Sequence, residues 1–111
     1  MSLNLSRPIA FIDLETTGIN VASDRIIEIG IIRVSQDGTK QVKSLRLNPA
    51  IPIPKESQAI HGITDADIKD EPTFKEISTE LNHFLEGCDL GGYNSNKFDI
   101  PILVEEFLRA E

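Results

Sequence analysis

Two carboxylates stand two residues apart in Phe11-Ile12-Asp13-Leu14-Glu15-Thr16-Thr17-Gly18, at the end of an apolar run. Side chains alternate faces along a strand, so Asp13 and Glu15 project from one side with Ile9 and Phe11, and Ala10, Ile12 and Leu14 from the other. A strand apolar on both faces predicts a central, covered position in a sheet. Two ionised carboxylates there are costly to bury without positive compensation. Mg²⁺ or Mn²⁺ would supply it, since these cations take oxygen ligands from a few carboxylates and from substrate phosphates. The plainer alternative ends the strand at Leu14 and leaves Glu15 solvated in a turn. Spacing alone does not separate the two.

A third carboxylate, Asp99, precedes an apolar helical pattern over Phe98 to Ala110, with Ile100, Leu103, Val104, Phe107 and Leu108 on one face. Pro101 is tolerated only in a first turn, which places Asp99 at or beside the helix N-terminus, at the positive end of the dipole. The remaining candidates have ordinary explanations. His61 sits in a glycine-containing turn, where packing or ligand contact outweighs general-base duty. His83 lies on a helix far from both acidic motifs, and Glu28, inside an apolar strand, suits a structural hydrogen bond better than metal ligation. Asp65, Asp67, Asp70 and Glu71 lack the EF-hand spacing and its glycine, and read as solvated helix ends. Lys97 reads as an exposed lysine. Gly91-Gly92 lacks the context of a nucleotide-binding loop and reads as close strand packing.

The elements that must position these groups are readable in order. Pro8 to Glu15, Arg25 to Val34 and Gln41 to Leu47 are strands joined by short turns, with Gln36-Asp37-Gly38 as one hairpin, which predicts an antiparallel meander. Pro49, Pro52 and Pro54 then forbid regular pairing. Lys55 to Ile60 suits a single helical turn, and Thr64 caps another at Asp65 to Lys69. Thr73 and Glu76 form a capping box ahead of an apolar stripe of Phe74, Ile77, Leu81, Phe84 and Leu85, and Gly87 ends that helix. Cys88 to Tyr93 reads as a short buried strand; reached through a helix, it should run parallel to the first.

Composition bounds the rest. With 111 residues, 40% hydrophobic and 26% charged, the chain has room for one globular domain with a modest core. It carries no long apolar run and no signal-peptide pattern, so no membrane partner is expected. The lone Cys88 cannot form an internal disulfide and favours a reducing, cytoplasmic setting. A net charge of −7, from 18 acidic and 11 basic residues, argues against a general nucleic-acid-binding surface. It leaves open a nucleic-acid enzyme whose positive charge comes from bound metal.

Phe11-Ile12-Asp13-Leu14-Glu15-Thr16-Thr17-Gly18, then Ile60-His61-Gly62-Ile63-Thr64, then Asn94-Ser95-Asn96-Lys97-Phe98-Asp99, resemble in order and spacing the motifs of the DEDD (DnaQ-like) 3′–5′ exonuclease family. The resemblance runs from Pro8 onward. It implies an α/β, ribonuclease H-like mixed sheet, here a three-stranded antiparallel meander plus a parallel strand with flanking helices, and two-metal hydrolysis of a phosphodiester at a nucleic-acid 3′ end. It assigns Asp13, Glu15 and Asp99 as catalytic ligands of two Mg²⁺ or Mn²⁺ ions, with Asp13 bridging both. Two cations about 3.5–4 Å apart stabilise both the attacking and the leaving oxygen of an in-line displacement. Carried over residue by residue, Thr16 and Thr17 would hold the terminal nucleotide, Ile60 and His61 would line its base and sugar pocket, and Asn94 and Phe98 would support the site. The implied partners are a single-stranded or frayed nucleic-acid 3′ end and a DNA polymerase subunit.

The chain departs from the family pattern after Asp99. That pattern continues with H-x(4)-D or Y-x(3)-D, which supplies a general base and a last metal-binding aspartate, and the residues from Ile100 to Glu111 contain no His, Tyr or Asp. Residues 1–111 are therefore expected to be a partial exonuclease domain, inactive or nearly so alone, with part of its apolar sheet uncovered. An RNA-trimming exonuclease, and a non-catalytic module of the same fold that binds a polymerase subunit or a nucleic-acid end, are the alternatives.

Overall fold

The computed structural model describes residues 5–91 and 98–110. Asn94, Lys97 and Tyr93 lie outside them. The alternating, β-branched N-terminal third forms β1 (Ile9–Thr16), β2 (Ile26–Val34) and β3 (Lys40–Arg46). β1 pairs antiparallel with β2, and β2 with β3, as expected of a meander. Between β2 and β3 the Ser35 amide donates to the Thr39 carbonyl (2.9 Å), and Gly38 takes the left-handed φ of 87° that closes the turn.

After the proline-punctuated loop come α1 (Lys55–His61), α2 (Asp65–Ile68) and α3 (Phe74–Leu85). Thr73 and Glu76 cap α3 reciprocally, and Thr64 does the same for α2 with Asp67. β4 (Asp89–Gly91) follows and pairs parallel to β1, so the sheet order is β3-β2-β1-β4. α4 (Ile100–Ala110) completes the described chain, with Pro101 in its first turn.

The core lies between one sheet face and the helices α3 and α4. Ala10, Ile12 and Leu14 of β1 and Ile29 and Ile31 of β2 meet Phe74 and Leu81 of α3 and Ile102 and Leu103 of α4. The Phe107 ring stands edge-on to Phe74, with centroids 5.0 Å apart. A second cluster joins Ile27 to Ile53, Ile63 and Ile68 beneath α1 and α2. Both clusters draw on β2 because the β1–β2 register slips between Glu15 and Thr16, where the partner changes from Glu28 to Ile26. This bulge lets the consecutive residues Ile26 and Ile27 both be fully buried, each in its own cluster.

Three expectations from the sequence are corrected. β1 is central but covered on one face only, which corrects the reading from alternation and agrees with the expectation of a partly uncovered sheet: on the other face the cross-strand row Phe11–Ile32–Val42 is open, at 44%, 43% and 75% exposure. Alternation reports that both faces are apolar but not what lies over them. β4 is a three-residue strand at the sheet edge, with Asp89 exposed, rather than a buried strand. The inward face of α4 carries Ile102, Leu103 and Glu106, while Val104 and Leu108 are exposed and Ile100 and Phe107 half-buried. Counting aliphatic residues missed this rotation because a glutamate with partners can occupy a core position.

Candidate active site

β1 delivers Asp13 and Glu15 to the uncovered sheet face, two residues beyond Phe11. Asp13 pairs in register with Gly30, where an added Cβ would meet only the Asp13 carbonyl, at 3.7 Å, so the space beside Asp13 is open. Glu15 pairs with Glu28, whose carboxylate accepts from Arg46 Nε at 3.0 Å. That ion pair gives Glu28 the structural role foreseen for it. Gly91 abuts the Phe11 ring, 3.5 Å from an added Cβ, in agreement with close strand packing there.

Phe98 and Asp99 form a π-type turn that leads into α4, and Phe98 packs against the core. Asp99 is 5% exposed. Burial, then the negative charge of Asp13, then that of Glu15, push its carboxyl up from 3.8 to about 6. Asp99 thus responds to two acids on a strand far from it in sequence. Among the described residues, no three His, Cys, Asp or Glu side chains are grouped closely enough to enclose a metal ion. The donor set is nevertheless one of hard oxygens, whose mutual repulsion a dication relieves.

The residues after Glu15 form a loop held by its own hydrogen bonds. Thr17 is buried; its hydroxyl donates to Asp24 Oδ1 (2.8 Å) and accepts from the Arg25 amide (3.0 Å). Asp24 Oδ2 accepts from the Asn20 amide at 2.8 Å. Gly18 is required here, because a Cβ on it would lie 2.6 Å from that same Asp24 oxygen. Thr16 is half-buried and its hydroxyl donates to the Gly18 carbonyl at 2.6 Å. Both hydroxyls are committed to the loop, that of Thr16 to the Gly18 carbonyl and that of Thr17 to Asp24; Thr16 is the less buried of the two.

α1 is tied to this loop by Ser57, whose hydroxyl donates to the Thr17 carbonyl at 2.6 Å. Its last turn presents Ile60, 85% exposed, and the half-buried His61. The Nδ1 of His61 accepts from the Ile63 amide (3.0 Å), so the neutral ring carries its proton on Nε2, which is buried without a partner among the described residues. This makes His61 a donor, unsuited to general-base work. His83 is exposed beside Glu86, and Asp65 and Asp67 are engaged with the Ile53 and Thr64 amides. Asn94 falls outside the described residues.

Four residues that organise the site escaped the sequence reading: Asp24, Ser57, Glu106 and Arg109. Glu106 is 4% exposed; its Oε2 accepts from the Ile26 amide (3.1 Å) and its Oε1 from Arg109 Nη2 (2.8 Å). Arg109 also donates to the carbonyls of Ala22 (3.2 Å) and Asp24 (3.1 Å), at the start of β2. The spacing of Asp99, Leu103 and Glu106 on one helical face was the available signal.

The DNA polymerase III subunit epsilon of Treponema pallidum is 37% identical over 99 residues, covering 89% of this chain and 43% of the relative. That of Escherichia coli is 34% identical over 113 aligned positions, covering 96% and 46%. The chain thus spans less than half the length of these relatives. Escherichia coli exonuclease I, solved in complex with a dT13 oligonucleotide, superposes with a TM-score of 0.83 at 20% identity, over 95% of this chain and 24% of that one, and shares the fold. Among the described residues no helix is long and apolar enough to cross a membrane. The sequence profile of RNase_T, described as exonuclease, matches residues 10–110, and the chain belongs to that family.

Proposed function

We propose that this chain is part of a 3′–5′ exonuclease of the DNA polymerase III epsilon type, acting in the cytoplasm on the 3′ end of a single-stranded or frayed DNA in association with a polymerase subunit. The observation that carries this reading is the burial of Asp99 within reach of the charges of Asp13 and Glu15: burial first, then those two charges, raise its carboxyl to about 6. A buried acid set against two others is an unfavourable arrangement that a divalent pair relieves.

Asp13, Glu15 and Asp99 would hold two Mg²⁺ or Mn²⁺ ions, with Asp13 shared between them. When bound, such a pair supplies charge stabilisation for the attacking and leaving oxygens of the phosphodiester. The other residues bind and orient. Ile60 would offer its exposed apolar surface to the terminal base, and Thr16, half-buried with its hydroxyl on the Gly18 carbonyl, would border the terminal nucleotide. His61 would line the sugar side of its pocket, Thr17 would hold the loop that carries these contacts, and Asn94 and Phe98 would support them.

The lack of H-x(4)-D or Y-x(3)-D after Asp99 favours a second element of the proposal. Residues 1–111 hold a partial domain, and the general base and last aspartate lie elsewhere in the protein. This fragment alone would then be inactive or nearly so and bind Mg²⁺ weakly in calorimetry, since substrate phosphates normally complete the shell. Full-length protein with Mn²⁺ should shorten a 3′-labelled single-stranded DNA, and Asp13→Ala should abolish the shortening. Equal shortening by Asp13→Ala would reject the catalytic assignment, no shortening by either would favour a non-catalytic binding module, and a preference for labelled RNA would shift the substrate class.

A further inference from the structure

We infer that Glu106 and Arg109 are positioning residues for the carboxylate site: they lock the rotation and height of α4 against the β1–β2 loop, and so set where Asp99 stands relative to Asp13 and Glu15. This rests on the site proposed above.

Apolar contacts alone do not define that setting. The inward surface of α4 between the two acids is Ile102 and Leu103, packed into a core of aliphatic side chains. Such contacts are non-directional and tolerate rotation or sliding of a helix over a sheet. Directional bonds do not. Glu106 Oε2 accepts from the backbone amide of Ile26, a rigid point at the bulge where β2 begins. Arg109 spans Glu106 Oε1 and the carbonyls of Ala22 and Asp24. These bonds involve a charged partner and a fixed backbone, the geometry in which hydrogen bonds are strongest and most specific.

The points gripped by α4 belong to the loop that carries the catalytic strand's end. Asp24, whose carbonyl accepts from Arg109, uses its carboxylate to hold the Thr17 hydroxyl, and Thr17 in turn takes the Arg25 amide. Thr17 follows Glu15 by two residues. One chain of bonds therefore connects the last turn of α4 to the end of β1, and the same helix starts immediately after Asp99. Asp13 and Glu15 are held from the strand and Asp99 from the helix; the Glu106–Arg109 clamp joins the two supports.

The test compares Glu106→Leu and Glu106→Gln in the full-length protein. Glutamine keeps an acceptor for the Ile26 amide; leucine keeps the volume and loses every polar bond. Two readouts are taken below the melting temperature of each variant. The first is the pattern of methyl NOEs among Leu14 of β1 and Ile102 and Leu103 of α4, which reports the helix setting without metal or substrate. The second is Mn²⁺-activated nuclease activity. Leucine is expected to change the NOE pattern, lower kcat by ~10- to 100-fold and raise the half-activating Mn²⁺ concentration, with KM for the strand little changed; an ångström of misplacement suffices for such losses. Glutamine should retain the pattern and stay within about three-fold of the parent.

A folded Glu106→Leu protein with the parental NOE pattern and Mn²⁺ requirement would overturn the inference, even if it melted earlier. If that variant does not fold, Arg109→Met, which leaves Glu106 on the Ile26 amide, is read by the same criteria. A parent protein without nuclease activity would remove the functional reading, and the NOE pattern alone would then decide the positioning claim.

Discussion

Asp99 and Glu106 lie seven positions apart on the inward side of the same helical segment, and both are almost fully buried. Their surroundings are opposite. Glu106 meets an arginine and a backbone amide, each donating to it. Asp99 is pushed up to about 6 by burial first and then by the charges of Asp13 and Glu15. A buried carboxylate surrounded by donors holds the fold together. One set against its own kind strains it, and such strain persists where function uses it. One segment therefore carries a carboxylate held by donors at one end and a buried one facing like charges at the other.

The largest expected effect is at the strained end. Asp13→Asn in the full-length protein should lower exonuclease activity on a labelled single strand by on the order of 10³-fold or more, the loss of several kcal/mol of charge stabilisation. Its fold should survive, since Asp13 is exposed. Residual activity within ten-fold of the parent would remove Asp13 from the ligand set.

Asp99→Asn should do the reverse to stability. The carboxyl titrates near 6 in the folded protein against 3.8 as a free side chain, so between about pH 4 and pH 6 the folded chain keeps a proton that the unfolded chain has released. Stability contributed by this group therefore falls as pH rises through that window and stays low above it. A rise of about two units corresponds to roughly 3 kcal/mol. Melting of the metal-free protein should show Asp99→Asn more stable than the parent at pH 7.5, with the advantage shrinking toward pH 4. An advantage independent of pH would contradict the raised carboxyl of Asp99.

At the anchoring side, Thr17→Val keeps the side chain's shape but removes the hydroxyl that serves both Asp24 and the Arg25 amide. Leaving these buried partners unmet should cost roughly 1–3 kcal/mol in thermal or urea unfolding. A neutral result would show that the loop is held by its backbone alone. The smallest effect belongs to Glu28→Gln, which breaks a partly exposed pair with Arg46. It should change stability by less than about 1 kcal/mol and leave nuclease activity intact. A loss of activity comparable with that of Asp13→Asn would instead make Glu28 a metal ligand.

The anchors were the harder half to read in advance. Alternation in β1, the antiparallel meander, the Thr73–Glu76 capping box and the parallel return of β4 follow from local patterns, because turn chemistry, capping and side-chain period act over a few residues. Spacing singled out Asp13 and Glu15, and a place before a helix singled out Asp99; only the family resemblance joined the three into one ligand set. Glu106 did not stand out, since a glutamate in an amphipathic pattern is ordinarily assigned to solvent. The rotation of α4 that buries it, and exposes Val104 and Leu108, depends on an amide eighty residues earlier in the chain.

By itself the sequence determined which residues can do chemistry and which element bears each one, because those properties reside in residue type and near-neighbour spacing. Only the tertiary structure decided that the acids on β1 and before α4 come within range of each other's charge. It also decided that Thr17 serves the loop, and that the open part of the sheet is the Phe11–Ile32–Val42 row beside Asp13. Those outcomes depend on which distant groups come together, and local periodicity carries no information about partners across the fold.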